Sequence, residues 1–443
     1  MNTTKITSIV LAGSLLLFAG CKPEIDEFTP EAGSADFTTY VAVGNSLTAG
    51  YANNDLYASG QKESFPAFLA TQLALAGGGE FTQPMMVSEN GLAAARLVLG
   101  PSTDCLGATS LGPVIFSDVL NTSNFASIWN GEPFNNMGVP GAQIGHLLFP
   151  GYGHPQLGNP YYARFASSPG VSTIMEDAML NNPTFFTLWA GNNDVLSFAT
   201  SGGVNPITDQ AGFDGALGAV VQTLTSGGAK GVLANIPDVT SIPFFTTVPY
   251  NALVLTAEQA AGLNGAFAQL PDINFVEGPN AMLTVDSTAA GGMRHLVAGE
   301  LVLLSIDQDG IKCEGLGSLN LTTDPPSPNP IPGQFILDAG ELADVKAATA
   351  NFNASILAQA NTAGLGHADM NATMAELTTG LVFDGITVSA TYVTGGAFSL
   401  DGVHPNSRGY AIITNEFIDV INEKYGASIP KVDITEVTAI AFP

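Results

Sequence analysis

The chain has 443 residues, of which 39 are Asp or Glu and 12 are Lys or Arg, so its formal net charge at pH 7 is −27. A charge of this size and sign repels the nucleic-acid backbone and excludes DNA and RNA as expected partners. Hydrophobic residues make up 46% of the chain, which excludes a disordered polypeptide and allows a large buried core.

The first twenty residues have the pattern of a lipoprotein signal peptide. Lys5 precedes an apolar run over 6–18 that is too short to span a bilayer comfortably, and small residues lead into Cys21. This segment resembles the bacterial lipobox, although Phe18 stands where leucine is most common. We expect cleavage after residue 20, acylation of Cys21, and an exported bacterial lipoprotein held on the outer membrane, at its periplasmic face or at the cell surface. Residues 21–36 would form an acidic tether.

Apolar segments of strand length follow along the chain and predict a parallel α/β sheet. Each is followed by a loop, and helical patterns lie between the segments, which is typical of βα units. The predicted strands cover 39–44, 134–139, 184–190 and 231–236, with a fifth expected at 367–370.

Three segments have the 3.6-residue apolar period of amphipathic helices. One follows Asp209, one begins at Asp338 with Glu341 in a capping-box arrangement, and the last follows Pro405. Their predicted inward-facing residues are Phe213, Leu217, Val220, Val221 and Leu224; Leu342, Val345, Phe352 and Ile356; and Tyr410, Ile413, Phe417, Val420 and Ile421.

Two long insertions interrupt the alternation of strands and helices. We place the main domain at 37–430, the insertions at about 52–130 and 238–337, and a C-terminal tail at 431–443. The first insertion contains a predicted helix at 65–75, followed by irregular sequence rich in Gly, Pro and Ser.

The two cysteines that remain after Cys21 lie in different insertions. Cys105 is in the first insertion and Cys313 is in the second. An exported compartment permits a disulfide between them, and two buried free thiols are the alternative. Because neither cysteine stands in a cluster of His or Asp at metal-ligand spacing, we expect no zinc site.

A serine follows the first predicted strand in the turn Gly-Asn-Ser-Leu at 44–47. The hydroxyl of Ser46 would point beyond the sheet edge, where it could act as a nucleophile. The same turn is also typical of a serine that only caps the next helix. Both interpretations remain open for this segment by itself.

An acid and a base lie close together near the other end of the chain. Asp401 and His404 are three residues apart, so one loop could present a general base and the carboxylate that orients it. Alternatively, both residues cap the helix that opens at Pro405. Since the carboxyl ends of parallel strands meet at one sheet edge, distance along the chain does not prevent contact with Ser46.

Ester cleavage also needs donors for the oxyanion of the tetrahedral intermediate. Gly141 lacks a side chain and lets a backbone N–H approach such an oxygen closely. The side-chain amide of Asn193 and the backbone N–H of Ser46 could donate to the same atom. The sequence therefore offers three donors in loops that follow predicted strands.

These four segments, in this order, resemble the four blocks of the GDSL/SGNH hydrolase family. Ser46 matches the first block, Gly141 the second, Asn193 in Gly-Asn-Asn-Asp the third, and Asp401 with His404 in Asp-Gly-Val-His-Pro the last. Asn45 departs from the aspartate of the family name. The resemblance implies a three-layer α/β/α, flavodoxin-like fold with a parallel central sheet, and hydrolysis of esters or thioesters without metal or organic cofactor.

The expected function is that of a lipid-anchored serine esterase that acts on lipid acyl chains or on acetyl groups of a polysaccharide. Segments 195–198 and 242–245 are candidate apolar pocket walls, with ordinary core packing as their alternative. His146, His154, His295 and His367 are interpreted as structural or surface residues. A second hypothesis is a catalytically silent surface lipoprotein that binds glycan or lipid; it predicts an occluded Ser46 or a His404 ring more than about 5 Å from its hydroxyl.

Overall fold

The computed structural model describes residues 28–320, 322–383 and 385–440. The predicted signal peptide and Cys21 lie outside these residues, so the lipid anchor stays a prediction. Across the described ranges, no helix combines the length and the apolar character needed to cross a membrane.

Five parallel strands form the central sheet. They are β1 (Tyr40–Gly44), β2 (Asn136–Gly138), β3 (Phe185–Trp189), β4 (Lys230–Ala234) and β5 (Gly366–Ala368). Their order in space is β2-β1-β3-β4-β5, which is the strand order of flavodoxin-like sheets. Each strand overlaps one of the five predicted segments.

Helices cover both faces of this sheet. Val41 and Val43 of β1 pack into one apolar cluster with the helices Gln210–Thr225 and Ala339–Thr362. Tyr40 and Ala42, which point the other way because side chains alternate along a strand, pack into a second cluster on the opposite face. The C-terminal helix Ser407–Tyr425 belongs to this second cluster. All five residues of β1 and of β3 are buried, as expected for strands covered on both faces.

The local signals for the long helices are present in the structure. The side chain of Asp209 caps Gln210–Thr225, and Asp338 and Glu341 form both hydrogen bonds of a capping box at Ala339–Thr362. The other α-helices are Ser46–Ala49, Ala58–Lys62, Phe65–Ala74, Pro160–Ala163, Ile174–Met179, Asn192–Thr200, Pro243–Thr246, Ala257–Ala266 and Met370–Thr379. Short 3-10 turns cover Thr122–Phe125, Ile144–Leu148, Val239–Ser241, Ala290–Gly292 and Gly333–Phe335, and a π-helical turn covers Gly310–Glu314.

The first insertion is smaller than the sequence indicates. The sequence places the helix Phe65–Ala74 inside it, but Phe65, Leu69 and Leu73 pack on the sheet in the same cluster as the C-terminal helix. This helix is therefore one of the layers of the fold. The remaining insertion carries a hairpin of Leu97–Thr103 and Thr109–Ile115.

The second insertion forms a compact unit with apolar clusters of its own. One cluster includes Phe267 and Phe275, and another includes Val302 and Ile336. Its antiparallel pairs are Leu253–Leu255 with Gly278–Asn280, Leu283–Val285 with Met293–His295, Leu301–Val302 with Ile336–Leu337, and Ser318–Asn320 with Ser327–Asn329. A further pair, Leu381–Phe383 with Ile386–Val388, lies outside both insertions.

A disulfide joins the two insertions. Cys105, at the tip of the hairpin, bonds to Cys313 with a Cα–Cα distance of 6.4 Å. Lys312 forms an ion pair with Asp104 beside this bond. Two segments that are 208 residues apart in sequence are thereby held together.

Candidate active site

The candidate site lies where the connections from neighbouring strands diverge. The chain leaves β1 for β2 on one side and returns to β3 on the other side of β1. Such a switch point leaves a crevice at the carboxyl ends of the strands, where ligands bind in open α/β sheets. Ser46 follows β1, Gly141 follows β2 and Asn193 follows β3.

Ser46 is the first residue of the short helix Ser46–Ala49, and it is not the residue that caps this helix. The side chain of Asn45 takes the capping role by accepting a hydrogen bond from Leu47 N at 3.0 Å. Asn45 Nδ2 also donates to Asn192 Oδ1 at 3.0 Å, which ties the turn after β1 to the turn after β3. The amide at position 45 supplies a donor that an ionised aspartate lacks.

The hydroxyl of Ser46 is hydrogen-bonded to the predicted base. Ser46 Oγ lies 2.9 Å from His404 Nε2, and His404 Nδ1 lies 3.0 Å from Asp401 Oδ2. The hypothesis of a silent scaffold expects either an occluded Ser46 or a separation between His404 and Ser46 of more than about 5 Å. The observed separation is shorter, and Ser46, although only 8% exposed, borders an open cavity. The structure therefore brings the three residues into the linear arrangement that a nucleophile, a base and an orienting carboxylate require.

The Asp401 carboxylate is held by three backbone N–H groups as well as by His404. Oδ1 accepts from Val403 N and His404 N, both at 2.8 Å, and Oδ2 accepts from Asn54 N at 2.9 Å. Burial alone raises the pKa of Asp401, but the charge of His404 and these hydrogen bonds outweigh it and lower the pKa to about 2. The stability that the ionised carboxylate contributes is therefore present above about pH 4 and is lost as the pH falls towards 2.

Capping of the C-terminal helix falls to another residue. The side chain of Asn406 accepts a hydrogen bond from Gly409 N at 3.0 Å and is the cap of Ser407–Tyr425. The alternative interpretation, in which Asp401 and His404 cap this helix, is therefore wrong. The His404 side chain faces the Ser46 hydroxyl instead, and the Asp401 side chain faces His404 Nδ1.

Two further predicted residues supply donors beside Ser46. Gly141 has a φ of 80°, a conformation that residues with a side chain rarely adopt. One amide hydrogen of Asn193 goes to Ala142 O at 2.9 Å, which leaves its second hydrogen for another acceptor. Within the described ranges, neither Ser46 N nor Gly141 N donates to a protein acceptor. These groups are suited to hold an oxyanion.

All five predicted residues border one open cavity of about 370 Å³. Leu196 and Phe244, from the two segments expected to form walls, border it too, whereas Val195 and Phe245 are core residues. The remaining lining residues are Tyr51, Asn54, Pro140, Tyr161 and Val403.

Sequence reasoning missed two contacts of the acid and base. The ring of Tyr51 packs against the His404 ring with centroids 4.6 Å apart, and Asn54 donates to Asp401. Neither residue lies in a recognisable motif. The pair Asn53-Asn54 could have been read as a tight turn, because asparagine tolerates a positive φ.

The other histidines lie away from this cavity. His146 and His154 accept backbone hydrogen bonds through Nδ1, His295 bonds to Asn274 N and Ala281 O, and His367 lies on β5. In the described ranges, no group of three or more His, Cys, Asp or Glu side chains is placed to hold a metal ion.

Asp194, next to Asn193, is a buried carboxyl group that connects two loops of the site. Oδ2 accepts from Ile144 N at 2.9 Å, on the segment after Gly141, and Oδ1 accepts from Thr208 Oγ1 at 2.8 Å. Burial raises the pKa of Asp194 to about 6, and the hydrogen bonds offset only part of this effect.

Asp194→Asn is therefore expected to stabilise the protein above pH 6. Because the folded-state pKa is raised, wild-type stability falls as the pH rises from about 4 to about 6, and the loss is complete above that range. The neutral amide can keep both hydrogen bonds without the charge. We expect the variant to gain about 2–3 kcal/mol of unfolding free energy at pH 7.5 and nothing at pH 4, as measured by urea denaturation. An equal gain at both pH values would contradict a titrating Asp194.

Comparisons with known proteins leave the family open. No protein-family model and no curated protein matches the chain. Among solved structures, it is similar to a protein of Parabacteroides merdae ATCC 43184 described as a "putative GDSL-like lipase". The two are 10% identical over 90% of this chain and 99% of the other, with a TM-score of 0.35. This likeness is too low to support an argument about activity.

Proposed function

We propose that the protein is a serine hydrolase that cleaves carboxylic esters. The observation that carries the proposal is the unbroken path of hydrogen bonds from Asp401 through His404 to Ser46 Oγ, at the wall of an open cavity. The donors at Gly141 and Asn193 border the same cavity.

In this reaction His404 Nε2 removes the proton from Ser46 Oγ as the oxygen attacks the ester carbonyl carbon. Asp401 holds the Nδ1 proton and stabilises the imidazolium that forms. The imidazolium then gives its proton to the leaving alcohol. Water, activated by the same histidine, releases the acid from the acyl-enzyme.

The negative oxygen of each tetrahedral intermediate would be bound by Ser46 N, Gly141 N and Asn193 Nδ2. Fixed donors of this kind need no rearrangement as charge develops, which makes them effective in catalysis. Leu196 and Phe244 offer apolar contact for an acyl group on one side of the cavity. No Lys or Arg is among the described residues that border it, which favours an ester over a phosphodiester.

A fluorophosphonate probe tests the proposal directly. The probe should form an adduct with the wild-type protein that mass spectrometry maps to Ser46, and pretreatment should stop turnover of p-nitrophenyl esters. An adduct at another serine, or turnover that survives full labelling, would contradict the assignment.

For the acyl group of the substrate we propose two classes: a lipid acyl chain, or an acetyl group on a polysaccharide. A series of p-nitrophenyl esters from acetate to palmitate separates the two, since the preferred length reports the depth of the acyl site. A maximum at acetate supports acetyl esters as substrates, and a maximum at long chains supports esters of fatty acids.

Asn193→Ala is expected to lower kcat by about 10²- to 10³-fold, because it deletes a donor that acts on the developing oxyanion. Steady-state kinetics should show a smaller change in KM. Asn181→Ala is the matched control: its amide donates to Phe134 O at 2.8 Å, but it does not border the cavity. Equal rates in the two variants would exclude Asn193 from the oxyanion hole.

Lipid anchoring at Cys21 is proposed from the sequence pattern of residues 1–21. On this proposal the full chain expressed in a bacterial host partitions into detergent on Triton X-114 phase separation, whereas Cys21→Ser stays in the aqueous phase. The same phase for both proteins would exclude acylation as the anchor. The proposed location on the outer membrane, at its periplasmic face or at the cell surface, depends on this anchor.

A further inference from the structure

A tight turn beside the active site contains two consecutive asparagines with left-handed backbone conformation. Ala52 and Asp55 exchange two backbone hydrogen bonds of 3.2 Å each, and Asn53 and Asn54 between them have φ values of 53° and 67°. Positive φ at both central residues is characteristic of type I′ turns, in which asparagine and glycine are favoured. For residues with a side chain this conformation costs free energy, so surrounding contacts must stabilise it.

The turn contacts three consecutive residues of the loop that carries the acid and the base. Asn53 N donates to Ser399 Oγ at 2.9 Å, and Leu400 N donates to Asn53 Oδ1 at 3.0 Å. Asn54 N donates to Asp401 Oδ2 at 2.9 Å. This is the carboxylate oxygen that also faces His404 Nδ1. The left-handed turn therefore directs its N–H groups and one side chain at the Asp401 loop.

The other side of the turn is fixed to a later part of the first insertion, residues 92–97. Asp55 is fully buried, and its carboxylate accepts three hydrogen bonds from that insertion, from Leu92 N, Ala93 N and Ala95 N at 2.9 to 3.1 Å. Leu97 N, at the root of the hairpin, donates to Asn53 O at 2.8 Å. Because a buried carboxylate with this many N–H partners is held firmly, Asp55 attaches the turn to residues 92–95.

Tyr51 and Tyr57 support the turn from both ends. Tyr51 OH donates to Asn54 O at 2.6 Å, and burial raises the pKa of Tyr51, which keeps this hydroxyl protonated. Asn53 Nδ2 donates to Tyr57 OH at 2.7 Å, and the Arg96 guanidinium lies 3.9 Å from the centre of the Tyr57 ring. Arg96 belongs to the first insertion.

We propose that Asn53 and Asn54 are positioning residues through which the first insertion orients the Asp401 carboxylate towards His404. The proposal rests on the proposed function, in which Asp401 fixes the imidazole. Asp401 Oδ1 is held by N–H groups of its own loop, but the only partners of Oδ2 among the described residues are His404 and Asn54. Without the turn, Oδ2 would keep His404 as its one hydrogen-bond partner among the described residues.

Asn53→Gly tests this positioning role. Glycine keeps the positive φ but removes the acceptor for Leu400 N, so the loop at 399–401 loses one of its contacts. Because small misplacement of a catalytic group is costly, we expect kcat to fall by about 10- to 100-fold, with KM changed by less than about 3-fold. Asn53→Asp keeps an acceptor at this position and should recover most of the lost kcat.

Asn182→Gly is the matched control. Asn182 is an exposed asparagine with a φ of 49°. It precedes the amino-terminal end of β3, whereas the cavity lies at the carboxyl ends of the strands. The same substitution in the same backbone conformation should leave kcat unchanged. If Asn53→Gly matches Asn182→Gly in kcat, the turn does not position the acid. Should Asn53→Gly fail to fold, Ser399→Ala, which removes the acceptor of Asn53 N, takes its place with the same expectation.

A spectroscopic readout separates this proposal from the proposed function. The proton that His404 Nδ1 shares with Asp401 should give a downfield proton NMR resonance in the wild-type protein and in Asn182→Gly. The resonance should shift or broaden in Asn53→Gly and return in Asn53→Asp. An unchanged resonance in Asn53→Gly would overturn the positioning role, whereas a wild-type protein that shows the resonance but cleaves no ester would overturn only the proposed function.

Discussion

Ser46→Ala is expected to abolish ester hydrolysis and covalent labelling by a fluorophosphonate probe. The Ser46 side chain forms one hydrogen bond among the described residues, to His404 Nε2, while its backbone carbonyl accepts from Tyr51 N. Alanine removes the nucleophile and keeps the backbone contact, so the fold should persist. Loss of a serine nucleophile costs about 10⁴-fold or more in kcat, which places the residual rate near the detection limit of a p-nitrophenyl assay.

Ser110→Ala provides the control for this experiment. Ser110 is exposed on the hairpin of the first insertion, and its removal should leave both labelling and turnover at wild-type levels. Circular dichroism and thermal unfolding of Ser46→Ala should match the wild type. A folded Ser46→Ala variant that retains more than a few per cent of turnover would show that the reaction uses another group.

Asp401→Asn is expected to lower kcat by about 10³- to 10⁴-fold with a smaller effect on KM. Val403 N and His404 N require an acceptor at the position of Oδ1, so the new amide nitrogen would occupy the position of Oδ2. There it would donate to His404 Nδ1 and move the imidazole proton to Nε2. A protonated Nε2 cannot accept the proton of Ser46 Oγ, so the base would be present in the wrong tautomer.

Asp433→Asn is the control for the loss of a carboxylate. Asp433 is exposed and accepts hydrogen bonds from Thr435 N and Thr435 Oγ1, so it also stabilises a turn. We expect full activity from this variant. In Asp401→Asn, the new side-chain NH₂ group would also face the Asn54 N–H, so two hydrogen-bond donors would oppose each other. This variant should therefore unfold at a lower temperature than the wild type. Wild-type kcat in a folded Asp401→Asn variant would remove Asp401 from the mechanism.

Much of the fold follows from local patterns that the sequence displays directly. β1 and β3 are short apolar runs bounded by turn residues, which is typical of parallel strands buried on both faces. The helix starts at Asp209 and Asp338 are equally local, because a capping side chain bonds to N–H groups within three residues. Such features need no knowledge of distant contacts.

Other expectations depended on contacts that no local pattern specifies. The helix Phe65–Ala74 looks like part of an insertion in sequence and becomes a layer of the fold only because the C-terminal helix packs beside it. The choice between a disulfide and two free thiols for Cys105 and Cys313 was decided by the proximity of the two insertions. In both cases the partners are hundreds of residues apart, and their contact is a property of the whole packing arrangement.

The sequence by itself determined which residues could form a site. Each candidate stands in a loop after a predicted strand or before a helix; they are Ser46, Gly141, Asn193, Asp401 and His404. The tertiary structure decided that Asn45 and Asn406 cap the two helices, which leaves Ser46 and His404 to face each other across 2.9 Å. It also decided that Asn54 holds the Asp401 carboxylate. The physical reason is that residue type and spacing limit which hydrogen bonds a side chain can form, whereas the choice among competing partners depends on which groups the folded sheet brings within about 3 Å.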